Sequence, residues 1–545
     1  MQQAVGEPLP PADRHAISVS LPTWEDTQAW ATRDPGFISR LKTGYPRFFV
    51  PLVVQDLATR LLNLAVSRGT LCGSDGSSDS RLTLLLYSSA QYAQQCVEYL
   101  KSKDTAISTS VSASIRYLRF DFDGNISTDL QQAVKGKDRR EPYRYQEVHG
   151  VVYPESFGAN AKAFWQHTGY GISSRCAEFW LDKASCIQHD KTETETGAET
   201  ETGFPLEDAE KAKCDLRIRI GNLLSTPSLC IEPKHVFLHQ SGMTAISSIA
   251  TAIQQLHTST EPSKVIYNFD CIFYGHGSTS ELNTLEAGLA DNTIKINALI
   301  TEFPSNPLLT TPDLHRLRTL AQQYNFLLIV DDTLATAVNV SLLPFCDAIC
   351  TSLTKMFSGH CNVMGGSVAL NPASESFSAL NRQLSASFED TYFPLDALFM
   401  DHNSRDIIPR VSRASANAAR IAEIFRRHHA VAEVFYPQGS ATQRAYDRFR
   451  KTGGGYGFLL SVRFRVPAAA SAFYDALRVA KGPSLGTNFT LCCAYTLLAH
   501  ATEMEWAAGY GVVPHLVRIS VGIEEVDGLV RAIGDALAAT EDIRG

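Results

Sequence analysis

From His235 onward, short apolar runs alternate with helical stretches, and few folds are open to a chain built this way. The pattern predicts a mainly parallel sheet with helices on both faces. The expected strands are His235 to His239, Val265 to Asn268, Ala298 to Glu302, Phe326 to Val330, Ala348 to Thr351 and Ser367 to Leu370. Between the first two, Ile246, Ile249, Ala250 and Ile253 recur at i, i+3, i+4 and i+7, which places one apolar helix face on the sheet. After Asp396 the chain reads as long polar helices, a glycine-rich stretch Gly453 to Gly457, an alternating strand Phe458 to Arg465, a strand Leu516 to Val521 and a closing helix Val526 to Ala539. This is a second, smaller α+β domain.

The expected organisation is therefore an N-terminal region over 1–230, a large α/β domain over 231–395 and a small domain over 396–545. A length of 545 residues accommodates two to four domains. Within the N-terminal region, Leu82 to Tyr87 reads as a buried strand after a Gly/Ser/Asp cluster at Gly73 to Ser80. The acidic, Thr-rich stretch 189–203 lacks large apolar residues and reads as an exposed insertion. No apolar run is long enough to span a bilayer, and Met1 to Ser20 has no signal-peptide core, so a soluble, cytoplasmic protein is expected. The 49 basic and 57 acidic residues form no basic stripe, which argues against nucleic acid as a partner. The 12 cysteines are scattered and read as reduced thiols; none has the spacing of a zinc site, so no metal is expected.

Ligands of open parallel sheets collect at the carboxyl ends of the strands, and polar residues just after apolar runs mark those ends. Three such places agree. The strand ending in Val330 runs into Asp331 and Asp332; Asp331 is positioned to keep a pyridine nitrogen protonated, or one Asp caps the next segment while the other is solvated. The strand ending in Thr351 runs into Ser352, Thr354 and Lys355; a partly desolvated lysine forms an imine with an aldehyde, and the two hydroxyls can donate to a phosphate. The turn Gln240 to Thr244 joins a strand to the amphipathic helix, where free N–H groups and Gly242 suit a phosphate dianion. A pyridoxal-phosphate enzyme unites the three.

Eight ordered segments carry a resemblance: SGM at 241–243, FYGHG at 273–277, EFPSNPLL at 302–309, VDDT at 330–333, SLTK at 352–355, VMGGS at 363–367, SLG at 484–486 and VRISVGIE at 517–524. Together they closely resemble the Cys/Met-metabolism family of pyridoxal-phosphate enzymes. HAISVSLPTW at 15–24, KTGYPRFF at 42–49 and FWQHTGYGISSR at 164–175 are similar to the fungal cystathionine gamma-synthase branch. The resemblance implies a fold type I, aspartate-aminotransferase-like large domain, with Lys355 as the Schiff-base lysine and Asp331 as the partner of the pyridinium nitrogen. It makes Gly242, Met243, Ser352 and Thr354 the phosphate cup, Tyr274 the catalytic tyrosine that stacks on the cofactor ring and shares proton transfers with Lys355, and Asn306 the neighbour of the ring's phenolic oxygen. It gives Arg518 the substrate carboxylate, with Ser484 beside it. Tyr45 and Arg47, on an arm over about 40–50, correspond to a pair that reaches the phosphate of a neighbouring subunit, so a homodimer or homotetramer with shared sites is implied. From the residues alone these two are a Tyr and an Arg in a loop.

The sequence departs from the family pattern at Pro483, where several gamma-acting relatives carry an acid, and at Asn362, where an Asp is usual. The activity implied is exchange of the acyl group of O-acyl-L-homoserine for the thiol of L-cysteine. The alternatives are sulfide or a carbon nucleophile in a specialised pathway, a C–S lyase, or a catalytically silent binding relative.

Overall fold

A computed structural model of the chain describes residues 4–71, 82–103, 114–135, 143–187, 205–257 and 271–543. The cluster at 73–80, the acidic stretch 189–203 and the strand expected at Val265 to Asn268 lie outside the described residues.

Among the described residues, five strands form the central sheet, in the order Val236–His239, Gly366–Leu370, Ala348–Thr351, Leu327–Asp331 and Ala298–Glu302. Side chains along them alternate between two apolar clusters: Leu328 and Val330 pack on one face, Leu327 and Ile329 on the other. Burial on both faces explains why the strands read as unbroken apolar runs. Helix Gly242–His257 covers the second face through Ile249 and Ile253. The sheet is mainly parallel as expected, with one exception: Gly366–Leu370 runs antiparallel to both neighbours. A parallel return requires a crossover, usually a helix. Residues 352–365 contain none and instead fold as the turn that carries Lys355.

A second five-stranded sheet follows the order Val431–Phe435, Leu459–Phe464, Leu516–Ser520, Leu491–Ala494 and Ala480–Lys481. Helix Ile407–Arg427 joins the two sheets: Val411 and Ala414 lie in the large-domain core, and Ala418, Ile421 and Phe425 in the small-domain core. The 3,4-residue spacing keeps all five on one stripe.

The N-terminal region is not one unit. A hairpin of Pro8–Leu9 and Ser18–Val19 and the helix Trp24–Ala31 pack on the small domain, where Val19, Leu21, Trp30 and Leu41 meet Cys493 and Tyr495. Thr23 starts that helix with a capping box, its hydroxyl accepting from the Asp26 N–H and the Asp26 carboxylate from the Thr23 N–H. The following stretch is a separate layer. Antiparallel strands Leu82–Tyr87, Glu147–Pro154, Arg116–Asp121 and Ile126–Ser127 are flanked by helices Leu52–Ser67 and Ser174–Lys183 on one face and Ala90–Ser102 and Gly158–Thr168 on the other. Helix Leu206–Leu224, placed by sequence in the N-terminal region, contributes Leu216 and Ile220 to the large-domain core.

Arg175 fastens the N-terminal layer to the large domain. Its guanidinium donates to the Asn362 carbonyl at 2.7 Å and to Asp396 at 3.1 Å, and both ion-pair side chains are at most 5% exposed. The Phe399 ring lies 4.0 Å away beneath the charge. Removing one member of a buried pair strands the other without solvent. Arg175→Ala is therefore expected to lower unfolding free energy by about 3 kcal/mol, measured as a shift of the urea midpoint at unchanged slope.

Candidate active site

Lys355 is held from several sides. The Thr354 hydroxyl both donates to the Gly365 carbonyl and accepts from its N–H, and the Ser352 N–H donates to the Thr333 hydroxyl at 2.8 Å. Buried Arg410 donates to the carbonyls of Met356 and Phe357 at 2.9 and 2.8 Å. Behind the turn, Gly486 has φ +67°, and a Cβ there would stand 2.5 Å from the Met356 nitrogen. Only glycine accepts both the left-handed backbone and that approach. The Lys355 side chain is 7% exposed, and its ammonium donates to the Tyr45 hydroxyl at 2.9 Å. Burial alone would push that hydroxyl up; the nearby Lys355 charge and hydrogen bond, with Arg47 and Arg518 beyond, hold it below its ordinary value.

Carboxyls crowd one part of the cavity. Asp331 continues the alternation of Leu327 and Ile329 to the strand end and accepts from the Thr333 N–H at 2.9 Å. Burial pushes its carboxyl above the ordinary range, against the bonds from Thr333. Asp332 is 2% exposed and accepts from the Thr351 hydroxyl at 2.5 Å, so it is neither solvated nor a wall of the cavity. Glu302, on the wall, is pushed up to about 7 by burial and by the Asp331 carboxylate, while the Asn306 N–H donates to it at 2.7 Å.

Opposite charge comes from Arg518. It donates to the Asn306 side-chain oxygen at 3.1 Å and the Ser484 carbonyl at 3.2 Å, and its guanidinium lies 4.7 Å from the Tyr495 ring centroid. The turn at Gln240 to Thr244 closes the third side. A Cβ on Gly242 would fall 2.8 Å from the Ser352 Cβ, so this glycine lets the helix start approach the lysine turn.

These groups surround one cavity of about 280 Å³, near the lower end of small-molecule sites. Lys355, Asp331, Asn306, Arg518, Gly242, Met243, Ser352, Thr354, Tyr45 and Arg47 all line it. Two expected site residues do not. Ser484 is buried behind the wall formed by its neighbours Pro483 and Leu485. Tyr274 packs against the large-domain core, while the adjacent Phe273 and His276 rest on Tyr510. These contacts anchor the segment outside the cavity, and the tyrosine at the lysine is Tyr45.

The arm enters the cavity of its own chain, where the Tyr45 hydroxyl meets Lys355. Packing of residues 5–41 on the small domain delivers it there. Asn362 has a local reason as well: its amide donates to Asp13 at 3.0 Å and its oxygen accepts from Asn403 at 3.0 Å. An aspartate could not donate to Asp13. Glu302, Tyr495 and Gly486 were missed as site residues, although Glu302 and Gly486 stand within the quoted EFPSNPLL and SLG segments. Tyr495 has no signal in sequence; Trp165 stands within FWQHTGYGISSR, and Leu85 and Leu86 within the run Leu82 to Tyr87, but nothing local places these three at the cavity.

The donor set fits pyridoxal phosphate. A buried carboxyl with no ion-pair partner among the described residues suits a pyridinium, a nearly enclosed lysine suits its aldehyde, and the helix start at Gly242 with Ser352 suits its phosphate. The sheet and cavity define a pyridoxal-phosphate-dependent enzyme of fold type I. The family described as Cys/Met metabolism PLP-dependent enzyme matches residues 232–538, and the chain belongs to it. The N-terminal domain of fungal trans-sulfuration enzymes matches residues 53–173.

The chain is 37% identical to a cystathionine gamma-synthase-like protein, ankD, of Aspergillus thermomutatus, over 99% of this chain and 95% of that one. It is 34% identical to cystathionine gamma-synthase of Neurospora crassa, over 99% and 98%. A solved cystathionine gamma-synthase from Xanthomonas oryzae pv. oryzae, in complex with aminoacrylate and cysteine, is 26% identical with a TM-score of 0.51, covering 60% of this chain and 86% of that one.

Burial, against the Thr351 hydrogen bond, lifts Asp332 from 3.8 to about 7. A carboxyl with a raised folded-state pKa binds its proton more tightly in the folded chain, so its contribution is complete below 3.8 and is lost as pH rises through about 7. Thermal melts across that window are expected to show a falling Tm in the wild type and a shallower fall in Asp332→Asn. Equal slopes would remove Asp332 as the cause.

Proposed function

We propose that this enzyme replaces the acyloxy group of an O-acyl-L-homoserine with the thiol of L-cysteine, giving L-cystathionine. The observation that carries the reading is the placement of Lys355, Asp331 and Arg518 on one cavity. When bound, the cofactor supplies an electron sink for charge developing beside the amino acid's alpha carbon. Asp331 holds a proton on the ring nitrogen. Arg518, fixed by Asn306 and the Ser484 carbonyl, receives the substrate carboxylate as a bidentate fork. Lys355 accepts the alpha proton, and Tyr45 stands at its amine to relay protons as the gamma substituent is exchanged. Gly242, Met243, Ser352 and Thr354, with Arg47 nearby, hold the phosphate. The relatives named cystathionine gamma-synthase support the same branch.

A second reading has one observation in its favour. Pro483 presents an uncharged ring to the cavity, so no acid at this point receives the ammonium group of a second amino acid. Sulfide or a carbon nucleophile then replaces cysteine, or a C–S lyase releases a 2-oxo acid.

The setting we propose is the cytoplasm, with a homodimer or homotetramer as the assembly; no described helix is long and apolar enough to cross a membrane. Wild-type protein is expected to be yellow and to lose that colour on borohydride reduction, whereas Lys355→Ala retains no covalently trapped cofactor. With O-acetyl- or O-succinyl-homoserine, cystathionine is expected only when cysteine is present. Accumulation of 2-oxobutanoate that cysteine does not suppress would instead select the lyase.

A further inference from the structure

The phosphate turn is gripped from outside its own domain. Gln240, 7% exposed and immediately before Ser241, donates from its amide nitrogen to the carbonyls of Gly169 and Gly171 at 2.9 and 2.8 Å. Its amide oxygen accepts from the Ser88 hydroxyl at 2.8 Å. Both Gly169 and Gly171 follow helix Gly158–Thr168, and Ser88 follows strand Leu82–Tyr87, so every partner of this side chain belongs to the N-terminal layer. The Thr244 hydroxyl also donates to the Gly169 carbonyl at 2.9 Å, and the Tyr170 hydroxyl is 2.9 Å from that of Ser247.

Steric contact acts in the same place. Gly169 has φ +68°, and a Cβ there would sit 2.3 Å from the Ser241 Oγ and 3.0 Å from the Met243 Cβ. On the far side, a Cβ on Gly366 would sit 2.2 Å from the Ser241 carbonyl oxygen. The turn is thus clamped between a loop of the N-terminal layer and a strand of the central sheet. Backbone N–H groups bind a phosphate only when they converge, and a turn held at both faces keeps them converged before the anion arrives.

We infer that Gln240 is a positioning residue through which the N-terminal layer sets the phosphate turn, so that recognition of the cofactor's phosphate depends on a layer separate from the lysine that binds its aldehyde. The inference rests on the assignment of Ser241 to Thr244 as part of the phosphate site. Only an amide satisfies the three contacts: two carbonyls need donors and one hydroxyl needs an acceptor. A glutamate of the same length sets a carboxylate against two carbonyl oxygens.

The test compares pyridoxal phosphate with pyridoxal, which keeps the aldehyde and lacks the phosphate, on cofactor-stripped full-length protein, read by visible absorbance and borohydride trapping. Gln240→Glu is expected to reduce the preference for the phosphorylated form about tenfold, with pyridoxal affinity nearly unchanged. An unaltered preference, or equal losses for both compounds, overturns the inference. Should Gln240→Glu fail to fold, Ser88→Ala removes only the bond that orients the amide and is expected to reduce the preference by a smaller factor; no change there is equally fatal. A wild-type protein indifferent to the phosphate would instead overturn the assignment of the turn itself.

Discussion

An amine enclosed by protein and bonded to a tyrosine hydroxyl is the interaction around which this molecule is arranged. Lys355 and Tyr45 are 310 positions apart, and their 2.9 Å contact exists only because two packing decisions agree. The central sheet must present the turn after Thr351 at its carboxyl edge, and the N-terminal hairpin must lie on the small domain so that the arm after Leu41 enters the cavity. The contact also fixes the electrostatics. A cationic amine beside a phenol lowers the energy of the phenolate, which holds the Tyr45 hydroxyl below its ordinary pKa against the effect of burial.

The cavity separates its charges by element. Carboxyls arrive on the parallel strands ending at Glu302 and Asp331, whereas Arg518 arrives on a strand of the small-domain sheet. Acid therefore lines the large-domain side of the cavity and a guanidinium its small-domain side. The antiparallel return of Gly366–Leu370 belongs to the same design. Without a crossover helix after Thr351, the chain has room for a turn long enough to hold Lys355, and Arg410, Gly486 and Gly365 make that turn rigid. Rigidity around an amine lowers the reorganisation it undergoes when a group arrives beside it.

The N-terminal layer has a part in this site beyond covering it. Arg175 and Asp396 bind it to the large domain through a buried ion pair, and Leu85, Leu86 and Trp165 supply apolar wall. Its Gly169, Gly171 and Ser88 contacts fall on the turn before helix Gly242–His257, while Arg175 reaches the far end of the lysine turn at the Asn362 carbonyl. A buried polar contact of this kind specifies one relative placement of two layers, because a slip leaves further donors or acceptors unpaired in the interior.

By itself, the sequence determined the large-domain strands among the described residues, the small-domain strands Leu459–Phe464 and Leu516–Ser520 with the closing helix, and the positions of Asp331, Lys355 and Gly242. Each of those residues stands at or a few positions beyond the end of its own apolar run, so local periodicity places it near the carboxyl end of a strand. Arg518 needed the family resemblance, because a lone arginine in an alternating strand has no local mark. Tertiary structure alone decided that Tyr45 meets Lys355 within one chain, that Tyr274 and Ser484 stand off the cavity, that Asp332 is buried, and that one strand of the sheet runs backward. Those outcomes depend on which surfaces pack together across hundreds of residues, and a one-dimensional hydrophobic pattern records which side chains are buried without recording what they are buried against.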